Sequence, residues 1–209
     1  MTFDGLIREM LRFVDDEGAK RDILSHKYGV GGIHWCCGSG IYRNVVDIDA
    51  KSFYPHILLN WHLLPDWIDE GKYKELLDRR MAGDKDERLK MALNVPTGKL
   101  RTQASSPLDK ERGLAMCMMG QILITILREK LEHQNYKTIQ VNTDGIMVTR
   151  YQRNEGLMDA VRAWQMISNI PVSIKDIEML EQKDVNNYKA VYVDGSVKLK
   201  GAKYIVNKK

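Results

Sequence analysis

The sequence predicts an α+β fold in which an antiparallel β-sheet is backed by helices, and three features carry that expectation. Strand-like segments flank Asn142-Thr143-Asp144-Gly145 (Thr138–Val141 and Ile146–Val148) and Asp194-Gly195 (Tyr188–Val193 and Ser196–Gly201), and a two-residue Asp-Gly step between such segments is a strong short-range signal for a hairpin. The stretch Val45-Val46-Asp47-Ile48-Asp49 is β-branched and apolar, so it reads as a strand; a period of two then places Asp47 and Asp49 on one face. From about Asp109 to Gln134 the spacing is helical, and between Leu114 and Leu127 the helix is apolar on most sides, which marks it as buried.

The 209 residues are 44% hydrophobic and 29% charged, enough for one large domain or a domain with a subdomain that buries roughly 70% of its unfolded surface. The formal net charge of +4 permits nucleic-acid binding without demanding it. Lysines outnumber acids from Lys183 onward, so a polyanion-facing surface or a solvated tail is expected there. Three cysteines, two of them adjacent as Cys36 and Cys37, suit neither a disulfide framework nor a spaced zinc pair, and predict a reduced, cytoplasmic protein. Met1 to Met10 has no signal-peptide h-region, and the run from Leu114 to Leu127 is too short to span a bilayer, so no membrane partner is expected.

In chain order, residues 5–14 have the spacing of a short amphipathic helix. The glycines between Tyr28 and Gly40 fit a hairpin leading into the 45–49 strand better than a phosphate loop, because no Lys-Ser pair follows and no G-x-G-x-x-G fits. Pro55 is expected to end that pattern, with a short helix over 57–61 closed by Pro65. Helices over 70–81 and 85–93, joined through Ala82-Gly83-Asp84, form a helical hairpin. On it Lys90 and Asn94 share a face, and Arg80 lies across the turn, so basic groups either converge on one volume or form a solvated surface. Pro96 and Gly98 are expected to break the second helix, and 99–107 to be a loop. A helix over 155–170 and strands from 172 to 206 complete the chain. Lys198 and Lys200 point one way along the last hairpin, with Val197 and Leu199 as apolar backing.

Four segments recur in a telling order: Asp49-Ala50-Lys51-Ser52-Phe53-Tyr54-Pro55, Lys90 to Gly98 with its K-x-x-x-N start, Asn142-Thr143-Asp144-Gly145, and the basic stretch Lys200 to Tyr204. This set resembles the palm and fingers of family B DNA polymerases, most closely the phage-type, protein-primed branch, over about residues 28–206. The resemblance divides the chain into an N-terminal helical segment (1–27), a first palm part (28–56), a helical-hairpin fingers subdomain (57–98) and a second palm part (99–209). The chain departs from the family pattern at Val95 (Ser in the family), Thr97 (Tyr), Asn142 (often Asp) and Gly145 (often Ser). The family's usual exonuclease and thumb domains have no counterpart, so the chain reads as a minimal palm with short fingers, a fragment, or one piece of a split enzyme.

The resemblance implies template-directed transfer of dNTPs to a primer 3′ end. Asp49 and Asp144 would be the catalytic acids and, with the carbonyl of Ala50, would hold two Mg²⁺ ions, for which Mn²⁺ may substitute. Asp47, although it faces the same way as Asp49, is expected to support the site or the fold. The dNTP site would comprise Ser52, Phe53, Tyr54, Arg80, Lys90 and Asn94, with Tyr54 excluding a 2′-hydroxyl. Primer-template DNA would meet Thr143, Lys198, Lys200 and Tyr204. A second chain supplying exonuclease or thumb functions is a further expected partner, and if the chain is phage-encoded its place is the host cytoplasm or nucleoid. The alternative is a polymerase-like nucleic-acid-binding subunit or split-enzyme fragment without activity on its own; a nuclease built on the same acids has less support, since no further acid and histidine cluster accompanies them.

Overall fold

A computed structural model of the chain describes residues 31–102, 104–150 and 156–201. The helix expected over 5–14 and the residue Tyr204 lie outside them. The described elements run β1 (His34–Cys36), β2 (Gly40–Ala50), α1 (Phe53–Asn60), α2 (Glu70–Met81), α3 (Glu87–Lys99), α4 (Pro107–His133), β3 (Tyr136–Asn142), β4 (Gly145–Arg150), α5 (Gly156–Ser168), β5 (Val172–Asp184), β6 (Asn187–Tyr192) and β7 (Val197–Lys200). The fold is thus α+β, with five helices and one seven-stranded sheet among the described residues. Every strand pairing is antiparallel, in the order β1-β3-β4-β2-β5-β6-β7. No described helix is long and apolar enough to cross a membrane.

The chain forms two compact units. Of the described residues, one comprises 32–50, 123–150, 156–167 and 171–201, and the other 31, 51–102, 104–122 and 168–170. The first holds the sheet. Its centre is β2, which pairs with β4 through Val45 to Asp49 and with β5 from Gly40 to Ala50. Val45, Ile139, Met147, Ile177, Leu180, Tyr188, Ala190 and Tyr192 form a buried cluster on this sheet. Within the same unit the Trp164 indole of α5 donates to the Leu123 carbonyl of α4 at 2.6 Å, so a side chain that is apolar over most of its area is buried with its one donor satisfied.

The second unit contains α1 to α3 and the first half of α4. Asp69 and Asp86 cap α2 and α3, accepting from the backbone N–H of Lys72 and Arg88. The two helices are pinned where the Tyr73 hydroxyl donates 2.7 Å to the Leu93 carbonyl. The long α4 begins with Pro107 in its first turn, where the missing N–H leaves no intrahelical bond unmade, and the Ser106 hydroxyl accepts from Asp109 N–H.

Several sequence expectations are corrected. Pro96 and Gly98 do not break α3, which runs through them to Lys99. Leu89, Leu93, Pro96 and Leu100 recur at helical spacing and are all buried, and that burial outweighs the single hydrogen bond a proline removes. Pro55 does not precede the short helix but lies inside its first turn, where N–H groups have no helical partner; the helix accordingly starts at Phe53. Among the described residues the glycine-rich stretch makes no hairpin with β2. Instead β1 pairs with β3, and Cys37 N–H extends that ladder to the Ile139 carbonyl. The β3–β4 turn has Thr143-Asp144 at its tip, with Gly145 already in β4. Val197, expected as apolar backing, is 53% exposed because β7 is the last strand of the described sheet.

Candidate active site

Cross-strand register assembles the acids. Residues directly opposite each other share a face, so one row across the sheet reads Asn142, Gly145, Asp49, Ser173, and the next reads Gln140, Met147, Asp47, Lys175. Asp47 and Asp49 therefore do share a face, and Asp144 sits at the hairpin tip beside them, its carbonyl accepting from Ala50 N–H at 2.8 Å. A cleft of about 270 Å³ is lined by Asp47, Asp49, Asp144, Gln140, Asn142, Gly145, Met147, Tyr188, Lys198 and Lys200. All of these belong to the sheet-bearing unit.

The hairpin tip is held in an unusual backbone state. Thr143 has φ 32°, a left-handed value that costs a β-branched residue strain, at the turn position where two-residue hairpins require positive φ. Its N–H donates 2.8 Å to the Ile33 carbonyl. A Cβ on Gly32 would overlap the Thr143 side chain, so only glycine lets the 31–33 segment lie against the turn. At Gly145 an added Cβ would stand 3.2 Å from Asp49 Oδ1 and 3.2 Å from the Ile48 carbonyl. Gly145, one of the four departures from the motif pattern, thus leaves space for the Asp49 carboxylate.

Burial, with neighbouring carboxylates behind it, raises the cost of ionising Asp49 and Asp144. Partial burial, then Asp144 and Asp47, push Asp49 up to about 6, while Lys198 and Lys175 pull the other way. The side chain is exposed by area, but the cleft walls displace part of its water, and the neighbouring carboxylates raise it whatever the degree of burial. Asp144 is also raised, by burial first, against the pull of Lys198 and Lys200. Asp47 is buried and its Oδ2 accepts from the Tyr192 hydroxyl at 3.0 Å, which ties the third acid to β6. Lys198 and Lys200 each place Nζ 5.8 Å from the Tyr188 ring centre. Burial works against the charge on Lys198, yet Tyr188, Asp47 and Asp49 hold its pKa above the usual lysine value; Lys200 is lowered by burial and by Lys198.

Among the described residues no group of three or more His, Cys, Asp or Glu side chains is arranged to hold a metal ion. The donor set nevertheless fits Mg²⁺, which is bound by one or two carboxylates and completes its shell with water and substrate phosphates. Two acids kept above their ordinary pKa by burial first and then by neighbouring carboxylates, Asp144 and Asp47 for Asp49 and Asp47 for Asp144, are a pair that a divalent cation would relieve.

The remaining residues named from sequence lie in the helical unit or outside the described residues. Ser52 precedes α1 with φ 47° and makes no side-chain cap, while its carbonyl receives His56 N–H at 3.0 Å. Phe53 is buried; its ring and that of Tyr54 stand 5.6 Å apart, and both lie against Gly120, where a Cβ would approach them to 3.0 and 3.3 Å. Arg80 donates to the Asp84 carbonyl and so closes the α2–α3 turn. Lys90 lies 3.8 Å from Glu87, and the exposed Asn94 amide donates to the Lys90 carbonyl. No motif singles out Gln140, Tyr188 or Tyr192, although the i, i+4 spacing of the two tyrosines on one strand places them on one face.

No family model matches the sequence, and no curated protein is similar to it at the sequence level. Its fold is similar to that of the family B DNA polymerase from the hyperthermophilic archaeon Pyrobaculum calidifontis, with a TM-score of 0.63 and 18% identity. The likeness covers 94% of this chain and 32% of that polymerase, so the chain spans about a third of its length. At this identity the likeness concerns the fold.

Proposed function

We propose that the chain is the palm, with a short fingers hairpin at 57–98, of a template-directed DNA polymerase of the family B type. The observation that carries this reading is the convergence of Asp49 and Asp144 with Lys198 and Lys200 in one cleft of an antiparallel sheet. The order of the motifs along the chain and the polymerase-like fold support it. The phage-type, protein-primed branch is proposed on the wording of the motifs alone.

In this reading Asp49 and Asp144, with the Ala50 carbonyl, hold two Mg²⁺ ions, or Mn²⁺ in their place. The bound ions supply charge neutralisation at the phosphates and activation of the attacking oxygen. Lys198, Lys200, Thr143 and Tyr204 hold the primer-template backbone through contacts that salt weakens. Arg80 and Lys90 bind the dNTP triphosphate, and Ser52, Phe53 and Asn94 line its site. Tyr54 sets its ring against the sugar and excludes a 2′-hydroxyl.

Primer extension with Mg²⁺ or Mn²⁺ tests the assignment: it disappears in Asp49→Ala and in Asp144→Ala, and activity surviving in either variant removes the metal-site reading. Ribonucleotide incorporation rises in Tyr54→Ala and Tyr54→Val; unchanged sugar discrimination removes the gate. A second reading is favoured by the extent of the match, a third of the neighbour's length. On that reading the chain is a polymerase-like subunit or one part of a split enzyme, active only with a second chain that carries thumb or exonuclease functions. Extension that appears only when such a chain is added selects it.

A further inference from the structure

Gln140 is 2% exposed, lines the acidic cleft, and has a buried side-chain oxygen without a hydrogen-bond partner. An unpartnered buried acceptor costs about 1–3 kcal/mol, and leucine or methionine of similar volume would avoid that cost. The position is also specially built. Simple alternation along β3 would put Thr138, Gln140 and Asn142 on one face. The register instead steps from Thr138↔Val148 to Gln140↔Met147, so two residues of β3 advance against one of β4. That bulge turns Thr138 away, where its hydroxyl donates to Glu132, and places Gln140 in the row of Met147 and Asp47. Bulges beside functional sites re-aim side chains in this way.

We propose that the Gln140 side-chain oxygen accepts a hydrogen bond from a hydroxyl of the primer-terminal sugar. The inference rests on the polymerase reading above. A bound strand offers few free donors: phosphates have none, and the Watson–Crick N–H groups of paired bases are engaged, leaving only the exocyclic N–H bonds that face the grooves. A strand end adjacent to Asp47 and Asp49 presents a sugar hydroxyl, and that hydroxyl supplies the donor that the cleft's own Lys198, Lys200 and Tyr188 do not give Gln140. The 3′-hydroxyl of any primer and the 2′-hydroxyl of an RNA-ended primer share this chemistry.

Fluorescence anisotropy of labelled primer-template with the full chain, without divalent cations, separates them. Four duplexes are compared, ending in a deoxynucleotide, a 2′,3′-dideoxynucleotide, a ribonucleotide and a 3′-deoxyribonucleotide. In the unmodified protein the dideoxy end binds about fivefold more weakly than at least one hydroxyl-bearing end, the worth of one ordinary hydrogen bond. In Gln140→Met and Gln140→Leu that ratio falls to about one, while the thermal midpoint holds or rises because an unpaired polar atom has gone. The deoxy and 3′-deoxyribo arms show which hydroxyl is read. A ratio unchanged in both variants, or no discrimination in the unmodified protein, overturns the proposal and leaves water as the partner of Gln140, with the polymerase reading intact. Failure of the unmodified protein to bind any of the four duplexes overturns both.

Discussion

The raised pKa of Asp49 is a statement about stability as well as about the site. Its folded-state value of about 6 lies above the ordinary 3.8, so the folded protein binds the extra proton between those limits. The contribution of this group is fully present below about pH 4 and is lost as pH rises through 6. Asp49→Asn is therefore expected to unfold at a higher temperature than the unmodified protein at pH 8, with the difference closing toward pH 4.5; a gap independent of pH would contradict the carboxylate crowding described above. Gly32→Ala tests the hairpin tip. Its Cβ meets the Thr143 side chain and displaces the turn that carries Asp144, at an expected cost of about 1–3 kcal/mol in stability by denaturant unfolding. On the proposed polymerase reading, primer extension in this variant should fall by at least about tenfold, because small displacements of catalytic groups are costly. The facing of Asp47 and Asp49 was legible from period-two spacing. The left-handed Thr143 and Ser52 were not, because neither residue type favours positive φ, and only the packed surroundings impose it.

At the scale of elements, hydrophobic spacing identified the long α4, the helical pair and both hairpins, while their ends shifted by a few residues. At Pro96 a strong local preference was overruled by burial. Pro96 stays in α3 because its ring belongs to the same buried stripe as Leu93 and Leu100. The partner of β1 was not legible, since a three-residue strand carries no pairing information and its choice of β3 depends on the whole sheet. Gln140 escaped notice for a related reason, because a bulge breaks the alternation on which strand reading depends. The helical pair makes its own prediction. Tyr73→Phe removes the one described side-chain hydrogen bond from α2 to α3, and is expected to cost about 1 kcal/mol in denaturant unfolding without any change in the acidic cleft.

Over the whole molecule the modest net charge conceals a local asymmetry, with three acids and two lysines lining one cleft. If Lys198 and Lys200 hold phosphates, replacing either by alanine lowers the slope of log affinity against log salt by about one, and weakens binding to all sequences alike. A change in affinity without a change in slope would assign the lysines to the fold instead. The same strand has another consequence. Among the described residues β7 has a neighbouring strand on one side only, so the main-chain groups of its other side pair with no described strand. Alternating ammonium groups on so short a strand discourage pairing along that side, and beside them Val197 is already half in solvent. Neutralising both lysines at once would therefore remove a barrier to self-association together with a binding contact. Replacing them singly, or by glutamine with light scattering alongside, keeps a sticky open edge from being mistaken for lost affinity.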